Sequence, residues 1–299
     1  MIGLLLAKYN LLVAQKSPSM KSNYGLCLSG QRCILVPYRP EHLPNYHEWM
    51  QDPFLLEMTG SEPLKMEEEI QMQKEWRDDE KKCTFIILAR DLLSRGELGD
   101  NGEKITVPPI PTNRIEKDRK EESYPNLIEQ TLHTMIGDIN LFLSEEDDYN
   151  SDDEENFQQQ QMLQTKAPAP AELTQAELDI MIAVESHRHK ALGTELALMM
   201  MYYGATALKL RRFYVKIKDT NHASIKLFKE KLGFVECAYA KCFGEYEFEL
   251  KSETSEEMVE LIKQKWQSLV KKTQPTSAAD ETIDGNGRIY DIYQCPVTD

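Results

Sequence analysis

The chain has 299 residues, with 35 basic against 50 acidic side chains and a formal net charge of −15. That length is enough for one large domain or two small ones. A surface with this much negative charge disfavours non-specific binding to nucleic acid and adsorption to anionic membranes. We therefore expect neither nucleic acid nor a membrane as a partner. It suits a basic peptide, although net charge alone does not choose a substrate.

The cysteine pattern indicates the cellular compartment. No C-x-x-C pair occurs, which is typical of a reduced intracellular protein, so we expect a cytoplasmic location, with the nucleus as a second compartment. The histidines do not stand at ligand spacing from the cysteines, and no metal is expected. No apolar run approaches the ~20 residues that a membrane-spanning helix needs. The six cysteines are Cys27, Cys33, Cys83, Cys237, Cys242 and Cys295.

Hydrophobic periodicity predicts alternating strands and helices within one domain, residues 30–272. Residues 1–29 are predicted to be an N-terminal extension, because Lys8 interrupts their apolar run and no signal-peptide layout follows. The predicted elements are strand 33–36, helix 41–50, helix 67–76, strand 83–89, strand 135–143, strand 177–183, helix 192–207, strand 212–217, a helix capped by Asn221, strands 234–240 and 245–250, and helix 255–271.

Two segments lack any period and are predicted to be long flexible inserts, near 91–133 and near 145–174. The first is rich in glycine and proline, and the second opens with a strongly acidic run over 145–155. Such a run is either a passive solvated loop or a binding segment for a basic partner, and both interpretations stay open. Residues 273–299 are predicted to be a loosely ordered tail, with a short strand at 289–293 as an alternative.

The most informative stretch runs from the strand at Glu177 into the helix at Leu192. A polar, basic turn joins them, with Arg188 and Lys190 ahead of Gly193. Turn amides and a helix N-terminus present N–H donors, and the helix dipole favours negative charge there. The layout therefore predicts an anion-binding site.

Two motifs, one strand apart, resemble those of the GCN5-related N-acetyltransferase (GNAT) superfamily. Residues 188–193 read RHKALG and are similar to its acyl-CoA signature R/Q-x-x-G-x-G/A, with Ala191 in place of the first glycine. Residues 221–234 read NHASIKLFKEKLGF and look like the helix that follows the next strand in that superfamily. The stretch 36–64 is most similar to the N-acetyltransferase 9-like branch.

The resemblance implies an α/β fold, with a central mixed β-sheet flanked by helices. It also implies acetyl-CoA as co-substrate, lying in a V between the fourth and fifth predicted strands, with its pyrophosphate at the signature turn. The residues implied to bind it are Ile182, Ala183, Val184, Arg188, His189, Lys190, Ala191, Leu192, Gly193, Thr194, Asn221, Ser224 and Phe228. Asn221 and Ser224 are equally well explained as a helix cap and its partner.

Acetyl transfer to an amine requires that the amine lose a proton and that the leaving thiolate gain one. Glu177 and Asp179 are the candidate bases, because i and i+2 side chains on a strand share one face. A polar stripe facing solvent would show the same spacing, so each residue alone is ambiguous.

Many relatives carry a tyrosine as acid where this chain has Phe228, which cannot donate a proton. Tyr239 and Tyr246 are the substitutes, although packed aromatics would be equally ordinary.

We expect the choice of acceptor to lie in the loop 51–62, with Tyr38 and His47. The resemblance implies the α-amino group of a protein as acceptor, with tubulin the one usually proposed. Two alternatives stay open. The chain could be a catalytically inactive binding module for tubulin, microtubules or another protein, or it could acetylate a small amine.

Overall fold

The computed structural model describes residues 23–93, 131–145, 173–273 and 291–294. Residues 94–130 and 146–172, which make up most of both predicted inserts, and residues 1–22, 274–290 and 295–299 lie outside the described ranges. The described strands are β1 (Leu26–Ser29), β2 (Cys33–Pro37), β3 (Lys82–Ala89), β4 (Met135–Glu145), β5 (Leu173–Ile182), β6 (Arg212–Lys218), β7 (Val235–Ala240), β8 (Glu245–Lys251) and β9 (Asp291–Gln294).

These strands form one sheet in the order β7-β8-β6-β5-β4-β3-β2-β1-β9. Neighbouring strands are antiparallel except for β5 and β6, which are parallel, so the predicted mixed sheet is confirmed. The described helices are α1 (Leu43–Trp49), α2 (Pro53–Thr59), α3 (Met66–Asp78), α4 (Arg90–Leu93), α5 (Leu192–Ala207), α6 (His222–Ile225) and α7 (Ser255–Thr273). The last turns after α6 widen into a π-helix over Lys226–Lys231. No described helix is both long enough and apolar enough to cross a membrane.

Helices cover both faces of the sheet. On one face α5, α6 and α7 pack on the strands, and the methionines Met199, Met200 and Met201 are fully buried there. On the other face α1 and α2 pack through Tyr46 and Leu55. Alternation along β5 follows the predicted pattern, because Leu178 belongs to the first core and Met181 to the second.

The strand β1 corrects the predicted start of the domain. It lies within the segment 1–29 predicted as an extension, yet it pairs with β2 and with β9. Those ladder hydrogen bonds place both β1 and β9 in the sheet. The alternative of a short strand near 289–293 is therefore confirmed, shifted to Asp291–Gln294.

A second correction concerns the predicted loop 51–62, which contains α2. The local signals for a helix are present: the Asp52 side chain accepts a hydrogen bond from the N–H of Phe54 at 2.8 Å, and Pro53 occupies the first helical position. Gly60 ends the helix with a φ of 63°, a left-handed conformation that glycine adopts without strain. Asp52-Pro53 therefore ends one helix and begins another.

A cleft arises in the sheet where β5 and β6 diverge. The two strands pair only over residues 175–177 and 212–214, whereas β6 pairs with β8 along its whole length. The second half of β5, from Leu178 to Ile182, therefore has no strand partner on the β6 side. The gap between the two strands has the shape of a V.

Candidate active site

A cavity of about 430 Å³ fills this V. Its walls come from the second half of β5, from β6, from the turn before α5 and from α6, and α2 closes one side. The cavity is thus lined by both motifs found in the sequence and by α2, the helix that lies where a loop was predicted.

The turn before α5 has an unusual backbone. His189 and Ala191 have φ values of 59° and 58°, in the left-handed region where a Cβ atom is disfavoured. Ala191 stands directly before the first residue of α5 and supplies no side-chain cap. The first N–H groups of a helix have no intrahelical partner, so those of α5 are available to an anion.

Arg32, between β1 and β2, holds this turn from behind. Its guanidinium donates to the carbonyl oxygens of Lys190 at 2.7 Å and Ala191 at 2.9 Å. Its Nε donates to Oε2 of the buried Glu195 in α5 at 2.8 Å, and its backbone N–H donates to Oε1 at 2.8 Å. The sequence analysis did not identify Arg32 or Glu195, because nothing local marks two residues so distant along the chain.

Most of the residues implied to bind acetyl-CoA line the cavity. They are Ile182, Arg188, His189, Ala191, Leu192, Gly193, Thr194, Asn221, Ser224 and Phe228. Ala183, Val184 and Lys190 do not line it. The N–H groups of Ala183 and Val184 both donate to the carbonyl oxygen of Ile136, at 2.8 and 3.2 Å, so the sheet already uses them.

Arg188 lines the cavity, but its guanidinium is bound within the protein. Nε donates to the carbonyl oxygen of Ile182 at 2.8 Å, and Nη2 donates to that of Ala183 at 2.6 Å. The same group lies 4.8 Å from the ring centre of Phe54 in α2. This side chain therefore joins the end of β5 to α2, and the implied contact of residue 188 with acetyl-CoA stays a prediction.

The second motif forms the opposite wall. Asn221 accepts a hydrogen bond from the N–H of Ser224 at 3.2 Å, which confirms the cap, and both residues line the cavity. Phe228 is 4% exposed and packs edge-on against Phe234, with ring centres 5.1 Å apart. The hydroxyl of Thr194 is buried and has no partner among the described residues, so it is a donor available to a ligand.

The two candidate bases lie in different surroundings. Asp179 lines the cavity, whereas Glu177 does not. The Glu177 carboxylate forms an ion pair with Lys216 of β6 at 2.9 Å. Their shared strand face is as predicted, but only Asp179 reaches the space where a substrate would sit.

The pKa of Asp179 is raised to about 6. Burial is the main cause and the charge of Glu177 the second, while hydrogen bonds from the Asn140 side chain and the Ile180 backbone oppose the rise. A second carboxyl group, Asp138 on β4, has a pKa raised to about 7 by burial and by the charge of Asp179. The sequence analysis did not identify Asp138, although a lone aspartate inside an apolar strand is a signal that could have found it.

The acceptor side differs from the prediction at two positions. Tyr38 is fully buried, and the ring nitrogen Nδ1 of His47 contacts the buried carboxylate of Glu69, so neither residue lines the cavity. Within the predicted segment 51–62, four residues do line it, all in α2: Phe54, Leu55, Met58 and Thr59.

The two tyrosines considered as proton donors also lie away from the cavity. The Tyr239 hydroxyl donates to Oδ2 of Asp219 at 2.9 Å, and its ring lies 4.6 Å from that of Tyr246. No tyrosine or cysteine is found among the described residues that line the cavity.

Comparison with known proteins identifies the family of this chain. Residues 110–235 match the family model of the acetyltransferase (GNAT) domain. An N-acetyltransferase 9-like protein from Nematostella vectensis is 37% identical over 76% of this chain and 86% of that protein. The human alpha/beta-tubulin-N-acetyltransferase 9 is 36% identical over 79% of this chain and 88% of its own length.

A solved structure, spermidine N-acetyltransferase from Vibrio cholerae in complex with CoA and spermine, is also similar. It is 14% identical, with a TM-score of 0.46, over 75% of this chain and 98% of that chain. Nothing about the substrate follows from so distant a likeness.

A mixed sheet that splays beside the turn before α5, together with the matching domain, is the arrangement of a GNAT acetyltransferase. The chain belongs to the N-acetyltransferase 9-like family of acetyl-CoA-dependent N-acetyltransferases.

Proposed function

We propose that this chain binds acetyl-CoA in the cavity between β5 and β6 and transfers the acetyl group to the α-amino group of a protein. The observation that carries the proposal is the division of charge within the cavity. Arg188 and His189 lie on the wall formed by the turn, and Lys226 and Lys231 lie on the π-helical turns after α6. Lys216 on β6 also lines the cavity but is paired with Glu177, and Asp179 is the one carboxylate among the described lining residues.

The basic walls suit the phosphates of the co-substrate. The first N–H groups of α5 have no intrahelical partner, and the Thr194 hydroxyl has no partner among the described residues. Lys226 and Lys231 add positive charge. When bound, acetyl-CoA supplies the activated acetyl group as a thioester. The residues of the chain bind and orient it, which lowers the barrier by holding the two reactants together.

Because Asp179 is the one carboxylate among the described lining residues, the cavity suits an acceptor with one amino group near the acetyl group. Asp179 projects from β5 into the cavity, where it can accept a proton from the acceptor ammonium directly or through one water molecule. A polyamine carries several positive charges and would be matched by several carboxylates. Phe54, Leu55 and Met58 give the α2 wall an apolar surface suited to the first side chain of a peptide.

Two relatives support a particular acceptor. The human and mouse proteins are named as N-acetyltransferases of alpha- and beta-tubulin. We therefore propose a tubulin N-terminus as the acceptor, and a cytoplasmic site of action. The leaving thiolate takes its proton from water, because no tyrosine or cysteine is among the described residues lining the cavity.

Mass spectrometry of peptides incubated with the full chain and acetyl-CoA tests the proposal. We expect one acetyl group on a peptide with a free α-amine, the tubulin N-terminal sequences among them, and none on the same peptide with that amine blocked. Spermine is the small-amine control. Binding of acetyl-CoA in calorimetry without any acetylated peptide would contradict the proposal and favour a binding module.

A further inference from the structure

The helix α2 forms one wall of the cavity although little of it is buried. Of its seven residues, all within the described ranges, Leu55 alone is buried, and Leu56 is partly buried against the same core. The hydrogen bonds described for the Thr59 side chain are local, to the carbonyl oxygen of Leu55 and the hydroxyl of Ser61. So short a helix is not stable by itself, so contacts with other segments must determine where its cavity-facing side lies.

Phe54 is the exposed aromatic side chain on that wall. It is 50% exposed, and among the large apolar side chains that are exposed in the described part of the chain it is the one that lines the cavity. Met58 lies one turn later on the same side of α2 and lines the cavity as well. An exposed apolar surface beside a cavity is suited to bind an apolar group of a ligand.

Arg188 is the distant residue that contacts Phe54. Its guanidinium lies over the ring, 4.8 Å from the ring centre. Two hydrogen bonds fix the same guanidinium, from Nε to the carbonyl oxygen of Ile182 at 2.8 Å and from Nη2 to that of Ala183 at 2.6 Å. A planar guanidinium that donates two bonds and lies over a ring holds that ring more firmly than a flexible ammonium group does. The contact therefore connects α2 to the end of β5, the strand that carries Asp179.

The backbone of Arg188 is also bound within the protein. Its N–H donates to the carbonyl oxygen of Glu185 at 2.9 Å. Moving the guanidinium to a pyrophosphate would break its bonds to Ile182 and Ala183 and would withdraw it from Phe54. The contacts of this side chain therefore favour a role at the α2 wall over a role at the phosphates.

We propose that Arg188 is a positioning residue for the acceptor: it holds Phe54, and with it the apolar side of α2, in the place where the first side chain of the peptide binds. This inference rests on the proposed function of the cavity. Because Phe54, Leu55 and Met58 line this wall, the peptide that binds best begins with a large apolar residue. Arg188 acts through Phe54, so its loss should lower peptide affinity and spare the chemical step.

Steady-state kinetics with two peptides that differ only in the first residue, leucine or serine, test the inference. The KM of the wild-type chain should be about tenfold lower for the leucine peptide. Arg188→Lys keeps the charge and loses the planar donor geometry, and Phe54→Leu removes the ring. Either change should raise the KM for the leucine peptide about fivefold, while kcat and the acetyl-CoA affinity in calorimetry are retained.

Two further variants serve as controls for the ring. Phe54→Tyr keeps an aromatic face for the guanidinium and should restore most of the affinity that is lost in Phe54→Leu. Phe243→Leu makes the same chemical change at a residue that is 65% exposed and does not line the cavity, so it should leave the KM for both peptides unchanged.

The double variant shows whether Arg188 acts through Phe54. If it does, Arg188→Lys combined with Phe54→Leu should raise the peptide KM no further than the larger of the two single changes. Additive losses would overturn the inference, and so would a loss of acetyl-CoA affinity in Arg188→Lys with an unchanged peptide KM. Phe54 is half exposed, so Phe54→Leu should fold normally and keeps the test decisive even if Arg188→Lys is unstable.

Peptide binding to the chain saturated with CoA separates this inference from the proposed function. It is followed by the fluorescence anisotropy of the leucine peptide labelled at its C-terminus, and it needs no acetyl transfer. In a chain that acetylates nothing, a loss of peptide affinity of about fivefold in Arg188→Lys would support the inference and contradict the proposed function. In a chain that acetylates peptides, equal peptide affinities of Arg188→Lys and wild type would overturn the inference alone. A wild-type chain that binds no peptide would also overturn it.

Discussion

Arg32 donates a hydrogen bond from its guanidinium to the carbonyl oxygen of Ala191, and so holds a non-glycine residue in the left-handed conformation with a φ of 58°. Where the acyl-CoA signature has its first glycine, this chain pairs an alanine with an arginine that also binds Lys190 and Glu195, an arrangement we call the arginine clamp. The clamp offers a physical reason why the signature turn tolerates Ala191.

The clamp predicts a non-additive effect on cofactor binding. Arg32→Met should weaken acetyl-CoA binding about tenfold, because the turn would then relax away from a conformation that costs an alanine ~1 kcal/mol. In an Ala191→Gly background the same change should cost less, since glycine adopts the left-handed region freely. Calorimetric titration of the four proteins measures the coupling, and strictly additive losses would contradict the clamp.

Two substitutions of Gly193, at the start of α5, should differ in their effect on acetyl-CoA affinity. A Cβ atom there would lie 2.9 Å from Cδ2 of Leu227, the end of a side chain that can move, so Gly193→Ala should bind acetyl-CoA with only a modest loss. Gly193→Glu places bulk and negative charge against the N–H groups that bind an anion, and we expect binding to be abolished. Equal affinities of the two variants in calorimetry would place the pyrophosphate elsewhere.

The carboxylates of β5 should differ in their effect on turnover. Asp179→Asn removes the group that faces the cavity and should lower kcat by ~10²- to 10⁴-fold while acetyl-CoA affinity is retained. Glu177→Gln, the matched control on the same strand face, should leave kcat within about threefold, because Glu177 does not line the cavity and its carboxylate is paired with Lys216. If kcat fell further in Glu177→Gln than in Asp179→Asn, Glu177 rather than Asp179 would be the base.

Protein stability should depend on pH through Asp138. Its folded-state pKa of about 7 lies above its ordinary value, so between the two values the folded form holds a proton that the unfolded form has lost. That contribution is fully present at acidic pH and disappears as the pH rises through about 7. The melting temperature should therefore fall as the pH rises from the ordinary pKa of 3.8 to about 7 and then level off, and the fall should be shallower in Asp138→Asn. Parallel profiles for the two proteins would show that Asp138 titrates normally.

The segment between β4 and β5 should be dispensable for folding. Glu145 and Leu173 are paired across the two strands, so their backbones are already at hairpin distance. Replacing residues 146–172 with a short glycine-containing turn should leave a cooperative thermal transition and turnover on a short peptide unchanged. The replacement also tests the acidic run: a basic partner bound there should be lost, and in the intact chain it should dissociate with added salt. Loss of cooperative unfolding would show that the segment stabilises the domain.

Much of the site could be predicted from the sequence because its signals are local. The alternation along β5, the basic turn, Gly193 and the cap at Asn221 each depend on residues within a few positions of one another. The helix α2 could also have been predicted from local signals, namely the cap at Asp52, the proline at Pro53 and the end at Gly60. The prediction of a loop took Pro53 only as the end of the preceding helix and not as the first residue of the next one.

Only the tertiary structure decided which charged groups act together. Glu177 and Asp179 are equivalent in the sequence, yet the ion pair with Lys216, 39 positions away, leaves Asp179 as the carboxylate that faces the cavity. Arg32 and Glu195, 163 positions apart, meet because the β1–β2 connection lies against α5. Asp138 comes beside Asp179 through the register of β4 and β5. Strand register is determined by pairing between distant segments, and a shift of one residue in β4 would turn Asp138 to the opposite face of the sheet.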